Sequence, residues 1–199
     1  MLLTDHLTHP LSSRESTEEG RLHFYERGEE IPLVSEGVWQ VYRGVAQLSQ
    51  LSHQGEEILL GWAQTSTFFG LWLTHLESYQ AKALSDIYLK WYPLTDINDS
   101  SVLAQMMLNQ LVRRMRQTEA LLAIAGLKRV EERLQELLNL LKQEMGETHL
   151  QGTRLSVRLT HQNLASAIGT TRVTVTRLLG EFQRQGRVNF DSERHLIIN

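Results

Sequence analysis

Short apolar runs separated by turn residues make up the chain between Arg21 and Tyr92. The runs are rich in Val, Ile, Tyr and Trp with partial alternation, which is typical of half-buried strands. They predict strands at Val38–Val41, Val45–Leu51, Glu57–Trp62 and Lys82–Leu89. Several short strands at this spacing favour a β-sandwich or barrel, which Pro93 closes.

A helical pattern replaces the strands after Asp99-Ser100, two residues suited to capping a helix N-terminus. Mostly apolar residues then recur at steps of three and four, which predicts one long amphipathic helix. Its stripe consists of Val102, Leu103, Met106, Met107, Leu111, Met115, Thr118, Leu121, Leu122 and Ala125. Because a small β-domain cannot bury so long a stripe, we expect the helix to form a dimer interface, with purely internal packing as the alternative.

Gly126 interrupts this pattern, either as a hinge or as a glycine tolerated within a helix. A second helix is predicted after it and ends near Gly146. One face of that helix carries Val130, Leu134, Leu137, Leu138 and Leu141.

The C-terminal segment combines a short predicted strand, two helices and a hairpin. The strand is predicted at Leu155–Leu159. Thr160 and Thr171 are candidate N-caps of two amphipathic helices, and Gly169 supplies the left-handed residue that a tight turn between them needs. The hairpin strands are predicted at Val188–Phe190 and Leu196–Ile198. Helix, turn, helix and hairpin in this order predict a winged helix-turn-helix.

Charge is distributed unevenly along the 199 residues, which carry 20 Lys+Arg against 23 Asp+Glu, a formal net charge of −3. Residues 153–199 hold seven arginines, no lysine and three acidic residues, a net charge of +4 that leaves −7 on the rest. A basic module on an acidic body indicates a polyanionic partner for that module. Solvated arginines on a small domain are the alternative.

The composition excludes several classes of protein. The chain has no cysteine, which rules out disulfides, thiol nucleophiles, iron–sulfur clusters and thiolate zinc sites. No apolar run approaches the roughly 20 residues of a membrane span, and the polar residues 1–20 are typical of a loosely held arm rather than a secretory signal. The eight histidines show no metal-binding spacing, and no nucleophile motif stands out. We therefore expect a cytoplasmic protein that is not an enzyme and holds no metal.

The second helix of the C-terminal module carries the side chains that a DNA-reading helix needs near its N-terminus. Arg172 and Arg177 lie five residues apart, about 500° of helical rotation, so both can reach a groove from adjoining flanks. Hydroxyl groups lie beside them, at Thr170, Thr171, Thr174 and Thr176. The alternative is a small helical hairpin with a threonine-rich exposed face.

The stretch Thr160–Leu179 resembles the helix-turn-helix of the CRP/FNR transcription-factor superfamily, and within it the cyanobacterial global nitrogen regulators. Arg172–Gly180 is the most specific part. Val38–Leu60 resembles the paired strands of the family's cyclic-nucleotide-binding-like β-roll. Phe68-Phe69-Gly70 is similar to the start of its phosphate-binding cassette, and Ser100–Ala125 to its dimerisation helix.

The resemblance implies an α+β fold in three parts. These are a β-roll with its polar arm (residues 1–98), a dimerisation helix (99–126) and a winged helix-turn-helix DNA-binding domain (127–199). It implies a homodimeric, sequence-specific transcription regulator that binds a pseudo-palindromic operator in double-stranded DNA and contacts RNA polymerase. Base edges would be faced by Arg172, Val173 and Arg177. The phosphate backbone would be held by Thr160, His161, Gln162, Thr171 and Thr174.

The sequence departs from its relatives where an effector would bind. The cAMP-binding members have Gly-Glu after the cassette phenylalanine and later an Arg-Ser/Thr pair. This chain has Gly70-Leu71-Trp72 and later Ser78-Tyr79, so no cation meets a cyclic phosphate, and cAMP binding is not expected.

The 2-oxoglutarate site of the nitrogen regulators resembles this chain more than the cAMP site does. The shared residues are Phe69, Gly70, Leu71 and Trp72 in the cassette and the long-helix pair Arg114 and Glu119. The family's second carboxylate-binding arginine is replaced by Glu77 or Ser78. Binding of 2-oxoglutarate, binding of another small ligand and the absence of any ligand all stay open, and a salt bridge across the dimer is the alternative role for Arg114.

A ligand- or protein-binding module with an incidental basic tail is the rival class. It predicts affinity for a partner and no sequence-selective retention of DNA. An enzyme would require a deep pocket with mutually bonded titratable groups.

Overall fold

The computed structural model describes residues 21–199, and the predicted N-terminal arm lies outside them. The strands of the β-roll are β1 (Leu22–Tyr25), β2 (Gly37–Arg43), β3 (Ala46–Leu51), β4 (Glu57–Ala63), β5 (Phe68–Phe69), β6 (Tyr79–Ala83) and β7 (Ile87–Pro93), with a 3-10 turn at Leu71–Leu73. They form two antiparallel sheets, in the orders β1-β7-β2-β5 and β4-β3-β6. The apolar faces of the sheets pack together around Trp39, Leu48, Phe69, Ile87 and Leu89.

The single strand predicted at Lys82–Leu89 is wrong, because the chain changes sheets within it. Strand β6 pairs with β3, whereas β7 pairs with β1 and β2. The polar residues of the connection hold the turn: Ser85 Oγ accepts from the backbone N of Val45 at 3.1 Å, and an Asp86 carboxylate oxygen accepts from the backbone N of Arg27 at 3.1 Å. The apolar residues on both sides made the two strands look continuous.

Three helices follow the β-roll, namely α1 (Leu94–Asp99), α2 (Ser101–Ala125) and α3 (Val130–Met145). The Ser100 hydroxyl accepts from the backbone N of Leu103 at 3.2 Å, so the predicted cap of the long helix is confirmed. Helix α2 ends at Gly126, where the predicted interruption falls. Leu103 and Met107 pack on Phe68 and so attach α2 to the β-roll. The short α1 was not predicted.

The C-terminal part contains β8 (Gly146–His149), β9 (Gly152–Leu155), α4 (His161–Ala167), α5 (Arg172–Arg184), β10 (Val188–Phe190) and β11 (Leu196–Ile198). The strands form one sheet in the order β10-β11-β9-β8, so the predicted winged helix-turn-helix is present. The strand predicted at Leu155–Leu159 is wrong, since the paired strand ends at Leu155. Val157 and Leu159 are both buried in the core, although the segment that carries them pairs with no strand. The alternation of apolar and polar residues from Leu155 to Leu159 therefore reflects burial of every second side chain and not strand pairing.

One hydrophobic cluster joins the winged module to the rest of the molecule. Leu134, Leu141 and Phe182 from the module share it with Val45 and Trp62 from the β-roll. The module therefore has a defined position against the β-roll, which fixes the direction in which α5 faces.

Candidate nucleic-acid interface

Two capped helices build the face predicted to meet DNA. Thr160 Oγ1 accepts from the backbone N of Asn163 at 3.1 Å, and Asn163 Oδ1 accepts from the backbone N of Thr160 at 2.9 Å, which is a reciprocal capping box. Thr171 Oγ1 accepts from the backbone N of Thr174 at 3.2 Å at the start of α5. Gly169 has a φ of 60° in the turn between the helices, a left-handed conformation that favours glycine.

Helix α5 has one buried face and one exposed face. The buried face consists of Val175, Leu178, Leu179 and Phe182. The exposed side chains in its N-terminal half are Arg172, Val173, Thr176 and Arg177. Val173 is 78% exposed, although it is apolar. An apolar side chain at this place suits a thymine methyl group, which lies in the major groove.

Arg177 forms an ion pair with Glu181, one turn further along α5. The Arg177 side chain is 61% exposed, so the pair lies in solvent and contributes at most about 1 kcal/mol. Arg177 can therefore exchange this carboxylate for a base edge or a phosphate at small cost.

His161 connects α4 to the exposed face of α5. Its Nδ1 lies 2.8 Å from Thr176 Oγ1, and that hydroxyl donates its proton to the Arg172 carbonyl at 2.9 Å. A carbonyl only accepts, so the hydroxyl proton of Thr176 is used towards Arg172, and His161 Nδ1 must donate to Thr176 Oγ1. In the neutral ring, Nε2 is then the nitrogen without a proton. Burial and the positive charge of Arg172 hold the pKa of His161 below its usual value.

The residues predicted to hold phosphates are present at the helix starts, but their hydroxyls are already engaged. Thr160 and Thr171 serve as caps, and Thr174 Oγ1 lies 2.9 Å from Thr171 Oγ1. Gln162 is exposed and donates to Ser166 Oγ at 3.3 Å. The free N-terminal amides of α4 and α5 are therefore the better phosphate donors at these positions.

Part of the positive charge of the module has a structural role that sequence reasoning did not identify. Arg154 pairs with Asp191 at 2.7 Å and with Glu193 at 3.1 Å, which fixes the wing turn. Arg187 lies 3.8 Å from Glu131. These carboxylates lie far from their arginines in sequence, so charge counting alone could not pair them.

The six residues predicted for an effector site are not gathered at one place. Phe69 and Arg114 line a cleft of about 1210 Å³ between β4, α2 and the turn before α5. Gly70, Leu71, Trp72 and Glu119 are not part of its lining. Glu119 is exposed and lies about 140° around the helix from Arg114, because five residues separate the two.

Sequence reasoning missed the partners of Arg114. Its Nη1 donates to Gln117 Oε1 at 2.7 Å and to the Trp62 carbonyl at 3.3 Å. Burial lowers the pKa of Arg114, while Tyr79 and Glu144 act in the opposite direction. Burial also raises the pKa of Tyr79 to about 12, while the positive charge of Arg114 acts in the opposite direction. Gly61 permits this arrangement, since a Cβ there would lie 2.2 Å from Gln117 Oε1.

Residues 21–199 contain no group of three or more His, Asp or Glu side chains placed to hold a metal ion. In the same range, no helix has the length and hydropathy needed to cross a membrane.

Comparisons with known proteins agree with this architecture. The Crp-like helix-turn-helix domain family matches residues 128–199. The chain is 32% identical to the regulatory protein CysR of Synechococcus elongatus over 171 residues, which cover 84% of this chain and 79% of that protein. It is 30% identical to the global nitrogen regulator of the same organism over 187 residues, covering 88% and 84%.

Solved structures show the same fold. A CRP-family transcriptional regulator from Thermus thermophilus, TTHB099, superposes with a TM-score of 0.75 at 20% identity and covers 89% of this chain and 92% of its own. FixK2 from Bradyrhizobium japonicum also gives a TM-score of 0.75, at 19% identity, covering 90% and 92%.

A β-roll joined by a long helix to a winged helix-turn-helix defines a class of DNA-binding regulators. The chain belongs to the CRP/FNR family and is a transcriptional regulator with a helix-turn-helix DNA-binding domain. The predicted family and fold class are confirmed. The relatives named above are regulators and not enzymes.

Proposed function

We propose that the protein binds a pseudo-palindromic operator as a homodimer, with the N-terminal half of α5 in the major groove of each half-site. The observation that carries this proposal is the exposed row Arg172, Val173 and Arg177 over a fully buried opposite face. Two-fold symmetry places the half-sites about 34–36 Å apart, one turn of the duplex.

An uncovered apolar face on α2 supports dimerisation. Leu108, Val112, Met115 and Leu122 are exposed, the last of them by 73%. At 100° per residue they fall within an arc of about 80°, so they form one stripe along the helix. The inward residues Leu103 and Met107 already pack on the β-roll. Met115 and Leu122 belong to the predicted stripe, whereas Leu108 and Val112 were not predicted for it. A second copy of α2 is the partner that fits this uncovered face.

The chemistry of the α5 N-terminus favours sequence-specific reading. Arg172 has a planar fork that matches guanine O6 and N7, and such a bidentate contact contributes about 1–3 kcal/mol of discrimination. Val173 is placed beside it for a thymine methyl group. This combination favours a mixed G·C and A·T half-site.

We further propose that the regulator does not respond to cAMP. The cleft near α2 presents Tyr79, whose neutral phenol carries no positive charge, where the cAMP-binding relatives have a phosphate-binding pair. A cyclic phosphate would lack the arginine that this segment supplies in those relatives, so Arg114 of α2 would have to compensate its charge without that second group.

The site that we propose for an effector is the same cleft, with Arg114 as the anion-binding group. A small carboxylic acid fits this chemistry, and 2-oxoglutarate is the first compound to test. RNA polymerase contact is the step by which a bound dimer would activate transcription, through surfaces of the β-roll and the DNA-binding domain.

A binding selection tests the proposal against the rival class. Purified protein is mixed with random genomic fragments at about 0.1 M salt, where non-specific binding is weakened. Saturable retention of a few fragments that share an inverted repeat is the expected result. Uniform, salt-sensitive retention of all fragments would favour a ligand- or protein-binding module with an incidental basic tail.

A further inference from the structure

Strand β3 carries buried polar side chains on the face that it turns away from the β-roll core. Leu48 packs in that core, so Gln47 and Ser49, its neighbours in the strand, point to the opposite face. Gln47 is only 4% exposed and Ser49 only 1%. Buried polar groups are normally held by hydrogen bonds, and the partners of these two side chains connect the β-roll to the DNA-binding module.

Glu57 of β4 holds both side chains from within the β-roll. Its Oε1 accepts from Gln47 Nε2 at 2.7 Å and from Ser49 Oγ at 2.9 Å. A carboxylate only accepts, so the Gln47 amide must turn its nitrogen towards Glu57 and its oxygen away from it. Glu57 therefore fixes the orientation of the Gln47 amide.

Asn163 of α4 completes the connection. Its Nδ2 donates to Gln47 Oε1 at 3.2 Å, although the two residues lie 116 positions apart in the chain. Its Oδ1 accepts from the backbone N of Thr160, the N-cap of α4. A backbone N–H only donates, so the Asn163 amide is oriented at this end as the Gln47 amide is oriented by Glu57 at the other. The hydrogen bonds from Glu57 to Thr160 thus form one consistent series of donors and acceptors.

The series ends in the part of the module that is proposed to hold DNA. Asn163 lies in the first turn of α4, whose free amides are the proposed phosphate donors. In this position of the module, Arg172, Val173 and Arg177 of α5 are exposed, so nothing in residues 21–199 covers them. Because a duplex would have to contact α4 and α5 together, holding α4 in place before binding lowers the cost of association.

We propose that Gln47, oriented by Glu57, is a positioning residue for operator binding. It holds Asn163, and with it the first turn of α4, in the position that the duplex requires. This inference rests on the proposed function, because it concerns affinity for the operator. It assigns strands β3 and β4 a part in sequence-selective binding that needs no contact between the β-roll and DNA.

The first test is Gln47→Leu, which removes both hydrogen bonds of Gln47 and keeps a side chain of similar size. Operator affinity should fall about five- to tenfold, the effect of losing about one net hydrogen bond. Affinity for random duplex should change little, because it depends on phosphate charge and tolerates different positions of the module. Fluorescence anisotropy measures both affinities. Gln50→Leu is the matched control, since it makes the same change on the opposite face of β3, and it should bind as wild type does.

An exchange of side chains supplies a rescue that does not depend on whether Gln47→Leu folds. Gln47→Glu alone places two carboxylates side by side and should weaken operator binding. In the double variant Gln47→Glu, Glu57→Gln, the carboxylate on β3 accepts from Asn163 and from the amide on β4, and the oxygen of that amide accepts from Ser49. The series is then restored, so operator affinity should return to within about twofold of wild type. Urea unfolding measures the stability of each variant.

A double-mutant cycle tests whether Gln47 acts through Asn163. Asn163→Asp keeps the oxygen that caps α4 but removes the donor to Gln47. In that background, Gln47→Leu should cause no additional loss of operator affinity, whereas a general structural effect of Gln47→Leu would add to that of Asn163→Asp.

Operator binding by Gln47→Leu as tight as that of wild type, or tighter, would overturn the inference, while sequence-selective binding by wild type upheld the proposed function. An exchange variant that binds no better than Gln47→Glu, or a full additional loss in the Asn163→Asp background, would overturn it as well. Lack of sequence selectivity in wild type itself would refute the proposed function and this inference together.

Discussion

Gln117 Nε2 donates to Glu144 Oε2 across 3.0 Å and thereby ties the long helix α2 to α3, the first helix of the winged module. The same Glu144 oxygen accepts from Gln64 Nε2 at 2.9 Å and from Arg113 Nη2 at 3.1 Å. Gln117 also accepts from the backbone N of Trp62 at 2.9 Å and from Arg114. A single polar network thus connects Arg114 in the cleft beside α2 with the β-roll and the DNA-binding module, and through it the effector proposed above would alter the position of α5.

Glu144→Gln should destabilise the protein by about 1–3 kcal/mol, because a neutral amide cannot satisfy three converging donors as a carboxylate does. Urea unfolding measured by circular dichroism gives the free energy of unfolding. Glu132→Gln is the matched control on the same helix, since its pair with Arg129 is long and exposed and contributes at most about 1 kcal/mol. If the two variants lowered the free energy of unfolding equally, the hydrogen-bond network around Glu144 would not stabilise the position of the winged module.

Leu108→Glu should convert the proposed homodimer to monomers. The side chain is 54% exposed on the apolar stripe of α2, and two-fold symmetry would place a second carboxylate near it in a desolvated interface. Sedimentation velocity measures the mass directly. The control is Val102→Glu: Val102 was predicted for the stripe, but it is 70% exposed and lies about 120° around α2 from Leu108, so this variant should leave the proposed dimer intact. A monomeric wild type would contradict the assignment of the stripe.

Operator affinity should rise as the pH falls from about 8 to about 5.5. Burial and Arg172 keep the pKa of His161 low in the free protein, whereas a neighbouring phosphate would favour the charged ring and raise its pKa in the complex. Binding then takes up about one proton per protomer, so affinity increases as pH falls through the pKa of the complex. Fluorescence anisotropy over this range measures the slope.

His161→Asn retains an N–H group for Thr176 but does not titrate, so its affinity should change much less with pH. The free wild-type protein should show the linked effect on folding. The pKa of His161 is lower in the folded protein than in the unfolded chain, where it is about 6.5, so the unfolded chain takes up the proton first as the pH falls. The contribution of His161 to stability is therefore present above about pH 6.5 and is lost as the pH falls below it. If the operator affinity of the variant changed with pH as steeply as that of wild type, His161 would not be part of the DNA interface.

Local signals in the sequence were sufficient for the caps and the turn of the helix-turn-helix. Thr160, Gly169 and Thr171 act through hydrogen bonds and φ angles within a few residues of themselves, so their roles can be inferred without the fold. The wing hairpin and the cap at Ser100 are equally local. These predictions are confirmed for that reason.

Features that depend on distant parts of the chain were not predictable in the same way. The division of Lys82–Leu89 follows from two sheets competing for one segment. From the sequence, Gln117 is expected to be a polar residue on a helix surface, yet it is only 3% exposed. Hydrogen bonds with Glu144 and with the backbone N of Trp62 satisfy its amide and so permit this burial. The assignment of Glu119 beside Arg114 came from a resemblance and not from helix geometry, which separates them.

Arg172→Ala tests the central claim most directly, namely that the start of α5 reads base pairs. The variant is compared with wild type and with Arg184→Ala, a control at the C-terminal end of the same helix, on the operator and on random duplex. The account predicts a loss of operator affinity of about 1–3 kcal/mol in the Arg172 variant while its weaker, salt-sensitive binding to random DNA persists. Unchanged preference for the operator would contradict it.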